Sequence, residues 1–434
     1  SEEIPSDVLI LFCNSKLNIM GKDTNFIGQP ILGQLLSFLD KGKIRKASKA
    51  LKADRYVKRF DSYTHVVVML FAVFEGYHSI RDTVLGLLSN TVKLQHLGLD
   101  YVVRRSTFSD ANHRRPHKLF EQVYYQTYDA HKHVLSDSQL SKKDMRRLYI
   151  MDSTTITLFK DILKGVGRNP ENGKKKGGIK AHTIINSQDS MPCFVRYTES
   201  ARHDHVLLKD VDLPEHSFIC FDKGYVDYAQ YDVFTSRKIW YVTRLKDNAL
   251  YQAKQEFDIP DDVHAGVLKD EEIELFYGEN KQQIHRARRI AFWDDENNRV
   301  FEFITNNFEL SADEIALIYK KRWQIELLFK QLKQNFPLKY FFGDNENAII
   351  IQIWSAMIAN LLLTILRSKI KKKWAFSNMM SIVRYQLMSY INVYAFFEDP
   401  EKAWRKKIAE EKEREKYRQA DPQQSLFPLQ GACF

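Results

Sequence analysis

Cysteine is scarce: four among 434 residues, at Cys13, Cys193, Cys220 and Cys433, with no CxxC pair and no His-Cys spacing of the zinc type. That scarcity excludes a disulfide scaffold and a structural zinc site, and it fits a reducing, cytoplasmic setting. Internal repeats and extended low-complexity segments are absent too. The one long apolar run, Ala348 to Leu366, could span a bilayer by length, but Gln352, Ser355, Asn360 and Thr364 interrupt it. A buried core helix is the better reading, so no membrane partner is expected. The segment Ser1 to Asn18 matches neither a signal nor a transit peptide. Residues 1–24 read as an extension, with Met20 a candidate start.

What is present is apolar residue in quantity (44%, with 13% aromatic), which excludes a disordered or fibrous chain. The length allows two to four domains. Sixty-five Lys and Arg against 55 Asp and Glu leave a net charge of +10, favouring a polyanionic partner. The positive charge is uneven. Lys41 to Phe60 holds nine basic residues and one acid, Asp54, on a helix-forming background. A second cluster holds Arg104, Arg105, His113, Arg114, Arg115, His117 and Lys118. Both stand in a stretch, residues 25–140, that reads as mostly helical, so this stretch is expected to contact DNA through phosphates.

From residue 146 to 246 the texture changes. RLYIMDSTTITLF, GIKAHTIINS and MPCFVRYTES read as three strands in a meander. HDHVLLKDV then reads as a helix, SFICFDKGY as a strand, YAQYDVFTSRK as a helix and IWYVTRLK as a strand, the order of a ribonuclease-H-like sheet. Residues 247–299 form a polar, β-rich insertion. Residues 300–397 resume the core with VFEFITN and a long helix beginning at Ser311, whose first turn carries Asp313 and Glu314. Residues 398–434 read as a charged helix followed by a tail.

Two acids end apolar strands: Asp152 in YIMDSTT and Asp222 in FICFDKGY. Ligands of open α/β sheets gather beyond such strand ends, although a strand-end Asp often does no more than cap the next element. Two carboxylates without a histidine ladder suit a hard cation such as Mg²⁺. A third acid comes from LIYKKRWQIELLFKQLKQ. At roughly 100° per residue, Tyr319, Arg322, Glu326 and Lys333 fall within a ~60° arc, beside an apolar arc of Ile318, Ile325, Leu328, Phe329 and Leu332. The plain alternative is a surface stripe braced by the Arg322–Glu326 i,i+4 pair. His182 reads as a histidine satisfied on its hairpin. Ser153 and Thr154 lack a base and are rejected as nucleophiles.

The spacing Tyr-x2-Arg-x3-Glu-x6-Lys at Tyr319, Arg322, Glu326 and Lys333 resembles the YREK signature of IS-four family DDE transposases. MDST around Asp152 and DKGY around Asp222 look like that family's two Asp motifs. The resemblance runs from Gly28 to about Phe397. It implies an α/β, ribonuclease-H-like catalytic core with a β-rich insertion, a helical N-terminal DNA-binding domain and a helical C-terminal region. By the same resemblance, Asp152, Asp222 and Glu326 are catalytic and ligate two Mg²⁺ ions, with Mn²⁺ as substitute, roughly 3.5–4 Å apart. Tyr319, Arg322 and Lys333 would hold double-stranded DNA ends, and Phe301, or else Trp293, would stack on a flipped base. Lys174, Lys175, Lys176 and Lys180 are further candidates for phosphate contact. The implied activity is cut-and-paste transposition by a nucleoid-associated homodimer. A catalytically silent DNA-binding protein and a purely hydrolytic nuclease of the same core are the alternatives.

Overall fold

The computed structural model describes residues 28–135, 147–157, 178–199, 204–259, 266–295 and 298–420. The first segment is helical: α1 (Ile31–Leu36), α2 (Lys41–Ala50), α3 (Ser62–Glu75), α4 (Ile80–Leu88), α5 (Thr91–Leu94), α6 (Arg105–Arg114) and α7 (Lys118–Leu135). Its starts follow ordinary capping chemistry. The side chains of Asp40, Asp61 and Ser79 accept from the amides of Lys43, Thr64 and Asp82. Every residue from Val66 to Phe74 on α3 is buried, so that run is a core helix with no solvent face.

The middle of the chain forms one nine-stranded sheet with α8 (Tyr228–Ser236) on it. Its strands are β1 (Leu148–Thr157), β2 (Gly178–Asn186), β3 (Pro192–Glu199), β4 (Phe218–Phe221), β5 (Trp240–Arg244), β6 (Tyr251–Glu256), β7 (Val267–Tyr277), β8 (Gln283–Asp294) and β9 (Arg299–Thr305). The spatial order is β3-β2-β1-β4-β5-β9-β8-β7-β6. β1, β2 and β3 are the antiparallel meander read from the sequence, while β4 runs parallel to β1 and β5 parallel to β4. A mixed sheet of this kind, clad with helices, fits a ribonuclease-H-like core. β9 closes antiparallel on β5, so the polar strands β6 to β8 extend the same sheet.

Three expectations are refined or corrected. HDHVLLKDV, read as a helix, takes the tighter 3₁₀ form at Asp204–Asp210. The helix from Ser311 is not continuous: α9 (Ala312–Lys320) and α10 (Trp323–Asn335) are separate elements. Between them the amides of Arg322, Gln324 and Ile325 bond to the carbonyls three residues back, Tyr319, Lys321 and Arg322. This shift from i−4 to i−3 tightens the winding, so a uniform 100° per residue does not carry across the joint. Arg115, expected among the DNA-facing cations, is buried inside the helical region.

The C-terminal helices α11 (Glu346–Ser368), α12 (Phe376–Gln386), α13 (Val393–Glu398) and α14 (Pro400–Ala420) follow. α11 is long and apolar enough to cross a membrane, yet it is buried inside the protein. Helices α1, α3, α6 and α7 pack on it, α2 packs on α3 and α7, and one apolar cluster unites them with α12, α13 and the outer strands. Trp354 lies at the centre, fully buried, with ring centroids 5.4 Å from Tyr124, 5.6 Å from Tyr125 and 5.9 Å from Tyr197.

Candidate active site at the tips of the central strands

Strand register brings the first residues together. Met151 of β1 pairs with Phe221 of β4, so Asp152 and Asp222 follow at the same height on adjacent parallel strands, which lie about 4.8 Å apart. Side chains alternate between faces along a strand. Met151 and Phe221 belong to the apolar cluster under α8, whereas Ile150 and Cys220 belong to the cluster under α9 and α10. Asp152 and Asp222 therefore point to the α9–α10 face. β5 extends the row by the same rule: Cys220 pairs with Val242, which puts Arg244 level with Asp222.

The α9–α10 joint supplies the rest. Ser311 and Glu314 form a capping box at the start of α9. Of the apolar arc, Ile318, Ile325, Leu328 and Phe329 are buried on the sheet and Leu332 is half-buried; Ile315, outside that arc, is buried with them. At the joint, Arg322 Nη2 lies 2.5 Å from Glu326 Oε1 and Nη1 lies 3.4 Å from Asp152 Oδ2. Asp222 Oδ1 accepts from Arg244 Nη2 at 3.0 Å and from the Tyr319 hydroxyl at 3.3 Å. The i,i+4 pair anticipated for Arg322 and Glu326 thus exists, but it is no surface stripe. Arg322 is 16% exposed and its second carboxylate lies 170 residues away in the chain.

The two aspartates differ electrostatically. Burial pushes the Asp152 carboxyl up to about 6, reinforced by the charges of Asp222 and Glu326 and opposed by the Ser153 amide and Arg322. At Asp222 burial acts in the same direction but is outweighed by the hydrogen bond and charge of Arg244, so its carboxyl is held below the usual range. Burial raises the Tyr319 phenol and keeps it a donor. In this geometry each acid is paired with a protein cation or donor, and among the described residues no group of three His, Cys, Asp or Glu is gathered as a metal centre. The donor set itself, three carboxylates with no thiolate or imidazole, fits a hard divalent cation.

The remaining expected residues distribute as follows. Lys333 is exposed beside Thr154 and Thr183, on the acids' side of the sheet, and makes no ion pair with another described residue. Phe301 is half-buried, its ring 5.6 Å from the Arg244 guanidinium and 6.4 Å from the Tyr319 ring. Trp293 pairs with Val300 while Phe292 pairs with Phe301, so Trp293 lies on the opposite face. Lys180 shares its face with His182, again opposite the acids. Lys174, Lys175 and Lys176 lie outside the described residues. His182 is buried with its Nε2 2.9 Å from Thr198 Oγ1, a local partner of the kind expected.

In the helical region Arg104, Arg105 and Arg114 are exposed, the last paired with Asp110 at 2.5 Å. Arg115 is the correction. It is 4% exposed, pairs with Asp54 at 3.0 Å and donates to the Phe60 carbonyl at 2.7 Å, so its charge is spent inside the fold and cannot meet a phosphate. Arg244 is the residue that motif reading missed. The only signal for it was a cation closing the third strand, at the height where the first two strands carry acids.

A family model described as a transposase DDE domain matches residues 143–362, and a domain of unknown function matches residues 27–100. The chain is 29% identical over 226 residues to a probable transposase for insertion sequence element IS5377 of Geobacillus stearothermophilus, covering 52% of this chain and 58% of that one. It is 30% identical over 264 residues to the putative transposase y4zB of Sinorhizobium fredii, covering 59% and 70%. With a putative transposase for IS4SA of Synechocystis it shares 28% over 290 residues, covering 64% and 76%. Among solved structures, the piggyBac transposase synaptic complex with hairpin DNA overlaps with a TM-score of 0.43 at 10% identity, covering 87% of this chain and 82% of that one.

Proposed function

The chain belongs to the DDE transposase family, and from that premise we propose that it is an insertion-sequence transposase of the YREK type. It binds the inverted repeats at its element's ends and cuts and rejoins DNA there by phosphoryl transfer. The observation that carries this reading is the level row of Asp152 and Asp222 on parallel strands, with Arg322 reaching from Asp152 to Glu326. Two Mg²⁺ ions, or Mn²⁺ in their place, held by Asp152, Asp222 and Glu326 would supply Lewis-acid charge at the attacking and leaving oxygens of an in-line displacement.

The chain's own residues have distinct tasks. Arg322 presents a planar fork, now shared by two carboxylates, that matches a phosphate equally well. Arg244 offers a second fork beside Asp222. The Tyr319 hydroxyl fixes the orientation of Asp222. Lys333 stands exposed in solvent as a point charge for the backbone, and Phe301 offers a ring face to an unstacked base. Arg104, Arg105 and Arg114 are placed on phosphates further along the duplex. Two element ends call for two copies of the chain, so a homodimer is proposed on DNA.

The test is incubation of the protein with duplexes carrying the element's ends and Mg²⁺. Nicking at the end and joining to a target are the expected products, both lost on chelation. Binding without cutting would replace this reading with a silent DNA-binding protein, and cutting without joining with a hydrolytic nuclease. Within the same system, Arg322→Ala and Lys333→Ala are each expected to lower the slope of log K against log salt by about one unit. A slope equal to wild type would mean that the residue faces away from the backbone.

A further inference from the structure

The helix that bears Glu326 and Lys333, α10, is held by more than the sheet beneath it. Ile325, Leu328 and Phe329 bury its underside, but apolar contact is non-directional and does not by itself fix a helix's rotation. Two polar ties on one flank are directional. The Gln331 side-chain amide donates to Asn360 Oδ1 of α11 at 2.6 Å, and Asn360 is buried. Arg384 of α12 donates from Nη2 to the Asn335 carbonyl at 2.8 Å, at the carboxyl end of α10. Its Nε donates to the Phe74 carbonyl at 3.0 Å, at the carboxyl end of α3.

Carbonyls at helix ends lack intrahelical partners, so one guanidinium here satisfies two of them and meets the negative ends of two helix dipoles. Gly76, which ends α3 at φ 75°, leaves it room: a Cβ there would lie 3.3 Å from Arg384 Cζ. Glu75 stands close by, its carboxyl raised to about 7 by burial and opposed by the charge of Arg384. The geometry of the ties relative to the site follows from the helix period. At roughly 100° per residue, Gln331 and Asn335 share one flank of α10, one turn apart. Lys333 lies midway between them at about 200° from each, on the opposite flank, which it shares with Glu326. The Asn335 side chain closes the same turn by donating to the Gln331 carbonyl at 2.8 Å.

We propose that Arg384, with the Gln331–Asn360 bond, is a positioning residue for Lys333: the ties hold the last turns of α10 by one flank so that Lys333, on the other, meets a backbone phosphate at a set place. The proposal rests on the DNA contact assigned to Lys333 above. A lysine is a point charge on a flexible stem, so where its charge falls depends on where the stem begins. Arg384 also grips α3, so a single group fixes the last turn of α10 against the core of the helical region. A lysine at 384 could not span both carbonyls, because it lacks the planar fork.

The test uses the full chain, an end duplex and a chelator, so that binding is read without chemistry. Arg384→Met and Gln331→Met are each expected to lower the slope of log K against log salt by about half a unit or more, toward the ~0.9 of one lost phosphate. Added to Lys333→Ala, neither is expected to lower it further, the coupling that a double-mutant cycle reads. Gln331→Met removes no charge, so its effect cannot be a lost phosphate contact of its own, and it keeps the test open if Arg384→Met fails to fold. In the free protein, hydrogen exchange at the last-turn amides of α10 is expected to quicken about tenfold or more in Arg384→Met. Unchanged exchange would place the hold on α10 elsewhere and overturn the proposal. Arg384→Lys keeps the charge and is expected to behave as Arg384→Met; a wild-type slope there would mean that Arg384 itself meets a phosphate, which also overturns it. If Lys333→Ala lowers the slope and both methionine variants leave it unchanged, the positioning role alone fails. If Lys333→Ala leaves the slope unchanged, the DNA contact of Lys333 fails first and the role of Arg384 falls with it.

Discussion

Asp152→Asn and Glu326→Gln are each expected to reduce Mg²⁺-dependent nicking and strand transfer on element-end DNA by roughly four to six orders of magnitude, the scale seen when one member of a unit that acts together is removed. Both changes keep shape and hydrogen-bonding capacity and remove one negative charge. What they remove is a hard, anionic oxygen donor that an amide replaces poorly for a divalent ion. Combining them is expected to cost little more than either alone, because a site missing one ligand is already broken. Binding of the end duplex without metal is expected to persist, since Arg244 and Lys333 are untouched and the helical region is intact. The measurement is a single-turnover cleavage rate beside a gel-shift affinity. A rate within tenfold of wild type for either variant would remove that acid from the metal set.

Much of this site was legible in the chain because its signals are local. A strand that turns polar at Asp152, another that stops at Asp222, and the spacing from Tyr319 to Lys333 are each contained in a dozen or so residues. Arg244 was not legible in that way. Its place depends on Cys220 lying opposite Val242, a register between parallel strands that no short window encodes. The joint at Lys321 and Arg322 was also hidden, because its i−3 bonds carry no proline or glycine to mark them. Charge clusters mislead for a related reason. Arg114 and Arg115 are neighbours in the sequence, yet one is exposed and the other is locked on Asp54. The helical region was recognised from texture, but its packing around α11 rests on contacts far apart in the chain. One example is the His117 amide on Asn347 Oδ1 at 3.0 Å.

That packing carries the second large effect. Trp354→Ala is expected to destabilise the protein by about 3–5 kcal/mol, the range for emptying a large aromatic from a core that cannot collapse around the cavity. The indole meets Tyr124 and Tyr125 of α7 on one side and Tyr197 of β3 on another. Tyr124 in turn donates to the Pro192 carbonyl at 2.9 Å, tying the helical body to the edge of the sheet. Trp354→Phe is expected to cost far less, about 1–2 kcal/mol, for two reasons. A ring remains to fill most of the space, and the indole N–H, which has no hydrogen-bond partner in its buried position, is removed with the change. Denaturant midpoints with unchanged slopes are the measurement. An alanine variant as stable as wild type would mean that α11 is not the pillar on which the helical body and the sheet are jointly built. If the pillar holds, the alanine variant should also lose protease resistance at the α7–β3 contact before the strands carrying Asp152 and Asp222 unfold, because the aspartates rest on the β1–β4 pairing and not on the indole.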